Sequence, residues 1–265
     1  MDRRSLFETT ATLGLGALAG CPLPGAAQSG PKTPFSVPAT TIPIAGNELV
    51  FPVRRIYCIG RNYAAHAREM GSDPTHEPPF FFQKPTDAIQ NVAPGTVADH
   101  PYPPLTKNYH YEVELVAALS KGGRNIVQAA ALEHVYAYAV GLDMTRRDLQ
   151  LEAREKGRPW EFGKSFALSA PIGALRRAED IGHPSEAAIT LTVNGQPRQS
   201  SDIAKLIWSV SECVAYLSEY EALEPGDIIL TGTPEGVNAV VAGDVMRGEI
   251  QGLGAIEVRV TGDTP

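Results

Sequence analysis

Two glutamates one residue apart, at the head of an apolar run, set the strongest constraint on what this chain can become. The run reads Tyr111-Glu112-Val113-Glu114-Leu115-Val116-Ala117-Ala118-Leu119. Side chains alternate across a strand, so Glu112 and Glu114 point to one face. Residues 115–119 carry no polar side chain, which marks a buried strand rather than a solvent-facing edge. Two like charges brought together there repel unless something positive sits between them, and a divalent cation answers that need. Asp143 closes a second apolar stretch, residues 137–142. Alone, a carboxylate at such a place is an N-cap for the next helix. With the two glutamates, and with neither His nor Cys beside them, it suits a hard, oxygen-preferring ion, Mg2+ or Mn2+, better than zinc.

The rest of the chain reads as short strands with a few scattered helices. Gly and Pro number 25 and 22, an excess that favours turns over a helical bundle. Strands are expected at residues 55–59, 79–84, 109–119, 134–142, 228–231 and 256–260, and a hairpin through Asn194-Gly195. A further hairpin is expected around residues 44–47. Residues 94–104 read as turn-rich. Helical character is expected at residues 63–70, 127–132 and 145–156. The clearest amphipathic helix is expected over residues 203–220, with apolar residues at 203, 206, 207, 210, 214 and 217. This mixture is α+β, built on β-sheet layers.

The first 27 residues read as an address. Arg3 and Arg4 precede a short Gly/Ala-rich stretch, and small residues offer a cut near Ala27, as in a twin-arginine-type signal peptide. Export to the periplasm is expected. Leu18-Ala19-Gly20-Cys21 resembles a lipobox, in which Cys21 becomes a lipid anchor; cleavage after Ala27 would instead leave a soluble protein, and both routes stay open. Residues 28–50 then form a linker and first strand, and residues 51–265 the catalytic domain. Lys plus Arg is 23 against 30 Asp plus Glu, a net charge of −7. That argues against general nucleic-acid binding, which needs clustered basic charge. Three cysteines without a C-x-x-C make neither a disulfide scaffold nor a structural zinc site.

Other residues carry chemistry by their neighbours. His66 and Glu69, at i and i+3 on a helical segment, share a face. A carboxylate there fixes the imidazole tautomer and raises its basicity, so the pair can deprotonate water; an exposed ion pair is the plainer alternative. Lys164 lies among aromatic residues in Trp160-Glu-Phe-Gly-Lys-Ser-Phe166. A free ammonium is costly there without a partner, unless the side chain runs out to solvent. Arg147 and Gln150 follow Asp143 at +4 and +7 on one helix face, placed to grip a substrate carboxylate or simply solvated. Thr233 sits in Gly232-Thr-Pro-Glu-Gly-Val237, a loop that offers backbone N–H groups and a hydroxyl to an anion.

Six segments occur in order: Gly60-Arg-Asn-Tyr-Ala-Ala-His66, Pro79-Phe-Phe-Phe-Gln-Lys-Pro85, Tyr111-Glu-Val-Glu-Leu115, Gly141-Leu-Asp-Met-Thr-Arg-Arg-Asp-Leu-Gln150, Gly163-Lys-Ser-Phe166 and Leu230-Thr-Gly-Thr-Pro-Glu-Gly-Val237. With them, residues 51–260 resemble the fumarylacetoacetate hydrolase family. The acylpyruvate hydrolases, fumarylpyruvate hydrolases in particular, are the narrower match. The resemblance implies a mixed β-sandwich roll with flanking short helices, a homodimer, and a metal site at the mouth of the roll. It implies Glu112, Glu114 and Asp143 as ligands of Mg2+ or Mn2+, His66 and Glu69 as the catalytic dyad with Lys164 assisting, and Arg147, Gln150 and Thr233 as substrate contacts.

The implied activity is metal-dependent hydrolysis of the C–C bond of a 3-acylpyruvate, a 2,4-dioxo acid, with fumarylpyruvate going to fumarate and pyruvate as the leading case. The segment 63–73, with Pro74 beyond, is expected to close as a lid. Two alternatives stand beside this. One is oxaloacetate decarboxylation, or isomerisation or hydration of a 2-oxo acid, on the same scaffold. The other is an exported dicarboxylate- or metal-binding protein without turnover, which would need the three carboxylates but not the dyad or Lys164.

Overall fold

The computed structural model describes residues 33–73 and 77–262. The expected signal peptide, Cys21 and Pro74 lie outside the described residues. The chain from Ala39 onward forms one compact unit, organised around two sheets.

The larger sheet has eight strands. In spatial order they are β4 (Phe80–Lys84), β3 (Arg55–Gly60), β15 (Asp227–Leu230), β8 (Val113–Leu119), β9 (Val135–Leu142), β11 (Ala170–Gly173) and β5 (Ile89–Val92), with β12 (Arg176–Arg177) also paired to β9. The smaller sheet runs β14 (Gln196–Asp202), β13 (Ala188–Val193), β17 (Val245–Ile250), β18 (Gly254–Thr261), β6 (Val97–Pro101). A ribbon joins β10 (Thr145–Arg146), β7 (Tyr109–His110) and β16 (Ala239–Val240), and β1 (Thr41–Pro43) pairs with β2 (Val50–Pro52) as a hairpin. The helices are short: α1 (Ala64–Glu69), α2 (Arg147–Glu155), α3 (Glu161–Lys164), α4 (Ala178–Ile181) and α5 (Val210–Tyr220). This is the α+β, sheet-dominated architecture that the sequence leads one to expect.

Alternation along β8 explains how the layers form. Val113, Leu115, Ala117 and Leu119 join Leu191, Met246 and Val258 of the smaller sheet and Val214 and Leu217 of α5 in the main core. Val116 and Ala118 face the other way, against Ala137, Ala139, Ile172 and the hairpin residues Ile42 and Phe51. Each large aliphatic so buried contributes about 1.5–3 kcal/mol. Gly141 lies opposite Glu114 in the register of β8 and β9. A β-carbon at Gly141 would fall 2.6 Å from Val116 Cγ2, so the second face admits only hydrogen there.

Four local expectations need correction. The helix read over residues 203–220 is broken: Ile203–Lys205 makes one 3-10 turn, and α5 starts only at Val210. Ser209 and Glu212 cap it reciprocally, each side chain accepting from the other's backbone N–H. Residues 94–104 are not all turn, because β6 pairs in parallel with β18. The strand read over 109–119 divides, since β7 leaves for the ribbon and β8 begins at Val113. Residues 145–146 form a short strand before α2. The Asn194-Gly195 turn, with φ of 51° and 75°, links β13 to β14 as its residues require.

Candidate active site

The second face of the larger sheet ends in carboxylates. Glu114 shares the parity of Val116 and Ala118, and Asp143 follows β9 in the parity of Ala137 and Ala139. The Asp143 N–H donates to the Glu112 carbonyl at 2.8 Å, tying the two strand ends together. One oxygen from each of Glu112, Glu114 and Asp143 lies within 4.8 Å of the others. The three residues are 4%, 2% and 1% exposed. Asp143 is not the cap of α2, whose N-cap is Arg146.

Three buried cations surround them. Lys164 Nζ donates to Glu112 Oε2 and to Asp143 Oδ2, both at 2.7 Å. Lys84 Nζ lies 2.8 Å from Asp143 Oδ1 and donates to Ser169 Oγ at 3.0 Å. Arg147 donates to Glu112 Oε1 and to Gln150 Oε1. Lys164 is thus neither solvent-facing nor free. Burial by itself lowers its pKa, but Asp143 and Glu112 overcome that and hold it above the usual lysine range. Burial likewise works to raise the Glu112 carboxyl, and Lys164 and Arg147 prevail, holding it well below the carboxylate range. Glu114 goes the other way: burial first, then Asp143 and Glu112, push it well above. Of the three carboxylates it is the one left wanting a positive neighbour.

α3 reaches the site because it packs on α2 without a gap. A β-carbon at Gly163 would lie 2.8 Å from the Cα and Cβ of Gln150. Only glycine permits that approach, and Lys164 is the next residue. Lys84 was not singled out from sequence, although it ends an aromatic run just as Lys164 sits in one. The desolvation argument made for Lys164 applies to it equally.

His66 Nδ1 lies 3.1 Å from Glu69 Oε2 on α1. His66 is buried and Glu69 is partly exposed, so the imidazole half of the pair is withdrawn from the surface. The hydrogen bond from His66 holds the Glu69 carboxyl below its usual range. The loop after β15 supplies amides as expected of an anion nest, but to the protein's own carboxylates. Gly232 N–H donates to Glu114 Oε2 at 2.8 Å, and Gly236 N–H to Glu69 Oε1 at 3.3 Å. Gln199 Nε2 donates to Thr233 Oγ1 at 2.9 Å, leaving the hydroxyl proton of Thr233 available. Asn62, fully buried, donates to the Thr231 and Trp208 carbonyls and pins the turn before α1 to this loop. Gln199 lies outside every segment singled out in the sequence, and Asn62 lies in the Gly60–His66 segment with no role assigned to it there.

The three carboxylates, Lys164, Arg147 and His66 open onto one cleft. Every site residue named from sequence lines it except Glu69, which reaches it through His66. Ile59, Met70, Phe82, Leu151 and Trp160 make its apolar wall, and Gly60, Arg61 and Arg154 complete the lining. Arg147 is engaged by Glu112 and Gln150, so in this structure it positions the Glu112 carboxylate rather than offering an open fork.

The profile of the family described as "Fumarylacetoacetate (FAA) hydrolase C-terminal" matches residues 55–261. A fumarylpyruvate hydrolase from a Ralstonia species is 49% identical over 189 residues, which are 71% of this chain and 95% of that protein. The human mitochondrial oxaloacetate tautomerase is 40% identical over 207 residues, 78% of this chain and 91% of that protein. The crystal structure of fumarylpyruvate hydrolase from Pseudomonas aeruginosa, in complex with Mn2+ and pyruvate, superposes with a TM-score of 0.87 at 58% identity, covering 88% of this chain and 100% of that one. The chain is therefore an enzyme and belongs to the fumarylacetoacetate hydrolase family.

Proposed function

We propose that this protein is a divalent-metal-dependent acylpyruvate hydrolase that converts fumarylpyruvate to fumarate and pyruvate. One observation carries the reading: a buried three-carboxylate cluster and a histidine oriented by a glutamate face the same cleft. The relatives named fumarylpyruvate hydrolase, at 49% and 58% identity, support it. The donor set fits Mg2+ or Mn2+. It is all oxygen, it is buried, and it contains one carboxyl, Glu114, whose ionised form lacks a cation. Glu112, Glu114 and Asp143 would hold the ion. When bound, it supplies Lewis acidity to the oxygens of a 2-oxo acid.

The chain's own residues do the rest. Glu69 accepts from Nδ1–H of His66, which assigns Nε2 as the unprotonated nitrogen. Nε2 takes a proton from water. The hydroxide adds to the acyl carbonyl carbon, the bond to the pyruvate methylene breaks, and its electron pair enters the pyruvate enolate. The proton held by His66 returns to that carbon. One water is consumed, its OH ending in the acid and its H in pyruvate. Lys164, locked by Glu112 and Asp143, gives a fixed positive charge near the developing enolate. Thr233 and the free amide nitrogen of Gln150 supply donors for the pyruvate carboxylate. The test is a panel of acylpyruvates with Mn2+ or Mg2+, followed by ultraviolet loss of the enol. Absence of hydrolysis across the panel, with the metal shown to be bound, would sink the proposal.

A second reading is favoured by the relatives named oxaloacetate tautomerase. A histidine base beside an enolate-stabilising site is also the equipment for moving a proton within a 2-oxo acid, without cleavage. Oxaloacetate in the same panel separates the two. Export through the twin-arginine-type signal and assembly as a homodimer belong to the proposal as well. The first rests on Arg3 and Arg4 with the Gly/Ala-rich stretch behind them, the second on the family resemblance.

A further inference from the structure

Helix α2 turns four side chains to the cleft: Arg147, Gln150, Leu151 and Arg154. Their spacing, i, i+3, i+4 and i+7, is one stripe of a helix. The stripe is graded by depth. Arg147 and Gln150 are buried, whereas Leu151 and Arg154 are exposed. At the deep end, Lys84, Lys164 and Arg147 are each already on Glu112 or Asp143. A substrate's distal carboxylate finds no open cation there among the described residues.

Arg154 stands differently. Its Nη1 donates to the Met70 carbonyl at 2.8 Å. Among the described residues no carboxylate lies within ion-pair distance of it, so its Nε and Nη2 keep a face for a bidentate contact. Seven residues at a 1.5 Å rise put Arg154 roughly 10 Å beyond Arg147 along the helix. Leu151, Met70, Phe82 and Trp160 line the cleft with them. The other rim arginine, Arg61, is already paired with Glu77 at 3.1 Å and stacked over Phe80. An acylpyruvate whose unsaturated acyl arm ends in a carboxylate spans roughly 8 Å between its two termini, from C–C bonds of ~1.5 Å. That is the scale of the step from the metal-binding end to Arg154.

We propose that Arg154 is the specificity-determining residue for a second carboxylate at the far end of the acyl arm. It makes the cleft select dianionic acylpyruvates over those with a neutral acyl group. The proposal rests on the acylpyruvate hydrolase reading above. It gives the exposed Leu151 a role too, as apolar wall under the arm between two anion-binding ends.

The experiment compares wild type with Arg154→Gln and Arg154→Lys, each loaded with Mn2+. kcat/KM is measured on fumarylpyruvate and on acetopyruvate, which lacks the distal carboxylate. Affinities for fumarate and for pyruvate are measured by calorimetry on the same proteins. Loss of a charge-assisted contact should lower kcat/KM for fumarylpyruvate about 10- to 100-fold in Arg154→Gln, with acetopyruvate changed less than about threefold. Arg154→Lys should recover part of the loss. Fumarate binding should weaken in parallel while pyruvate binding holds. Equal loss on both substrates would mean that Arg154 acts only by holding the end of α1 through Met70, and the proposal falls. If wild type hydrolyses neither substrate, the hydrolase reading fails by itself. The fumarate and pyruvate affinities then still decide whether Arg154 reads a second carboxylate, and unchanged fumarate affinity in Arg154→Gln overturns it.

Discussion

Gly163 rests against the backbone of Gln150 so closely that a β-carbon on it would come within 2.8 Å of the Gln150 amide nitrogen, Cα and Cβ. Backbone atoms cannot swing aside as a side chain can. Gly163→Ala must therefore lift α3 from α2, and Lys164 moves with α3. Overpacking of this kind costs about 1–3 kcal/mol. The expected outcome is a folded protein with a lowered melting temperature and a kcat reduced at least tenfold. Wild-type kcat with unchanged Tm would show that the two helices are not as tightly opposed as this contact implies.

Removing one carboxylate should uncouple metal binding from folding. Glu114 sits at the end of the second sheet face, outside the main core, and without a cation its charge is opposed by burial and by two carboxylates. Glu114→Ala should weaken Mn2+ binding in calorimetry by at least tenfold and leave the far-UV spectrum unaltered. Undiminished affinity would take Glu114 off the ligand list.

The dyad can be read through kinetics. His66→Ala should lower kcat by about 10²–10⁴, the range for loss of a general base, with little movement in KM. Glu69→Gln should lose less, because it orients the ring rather than taking the proton. Any oxaloacetate decarboxylation should respond less to both changes. Wild-type kcat in His66→Ala would return the pair to a structural role.

Acid stability has a candidate group away from the cleft. His100 bonds to Gln90 Oε1 at 2.7 Å and to Tyr109 Oη at 2.6 Å, and lies parallel to the Tyr109 ring. Burial lowers its pKa to about 4. The unfolded chain, with an ordinary histidine pKa of about 6.5, binds the proton first. Stability is therefore full above about pH 6.5 and falls as pH drops toward 4, by about 3 kcal/mol from this group at the lower limit. Urea midpoints measured from pH 7 to pH 4 should show this slope, and His100→Gln should flatten it. An unflattened slope would assign the acid limb to other groups.

Export is tested by changing Arg3 and Arg4 to Lys and fractionating cells. Periplasmic protein at the wild-type level would reject the twin-arginine reading.

The parts of the site that were legible from sequence are those whose logic is local. The spacing of Glu112 and Glu114, the i, i+3 pair of His66 and Glu69, and the aromatic setting of Lys164 each constrain chemistry within a few residues. Lys84 and Gln199 were not legible because their partners are distant: Lys84 at the end of β4 meets Asp143 beyond the end of β9, and Gln199 on β14 meets Thr233 after β15. Arg147 was read as a substrate clamp because nothing in sequence says that Glu112 occupies it. The apolar period over residues 203–220 hides a break, since Ser209 and Glu212 spell a capping box that starts a separate helix. β6 escaped notice because its partner in parallel pairing, β18, lies at the other end of the chain.

The alternation of β8 bears on how such a chain can diverge. Its odd positions hold the sandwich together, while its even positions lead through small residues to the carboxylates. Substitutions around the cleft therefore draw little on the contacts that keep the two sheets associated. A lineage can alter the rim of the cleft, at Arg154 or Leu151 for instance, and try new acids without first securing a new fold. Relatives at 40–49% identity whose names denote a hydrolase and a tautomerase are what such freedom would leave behind.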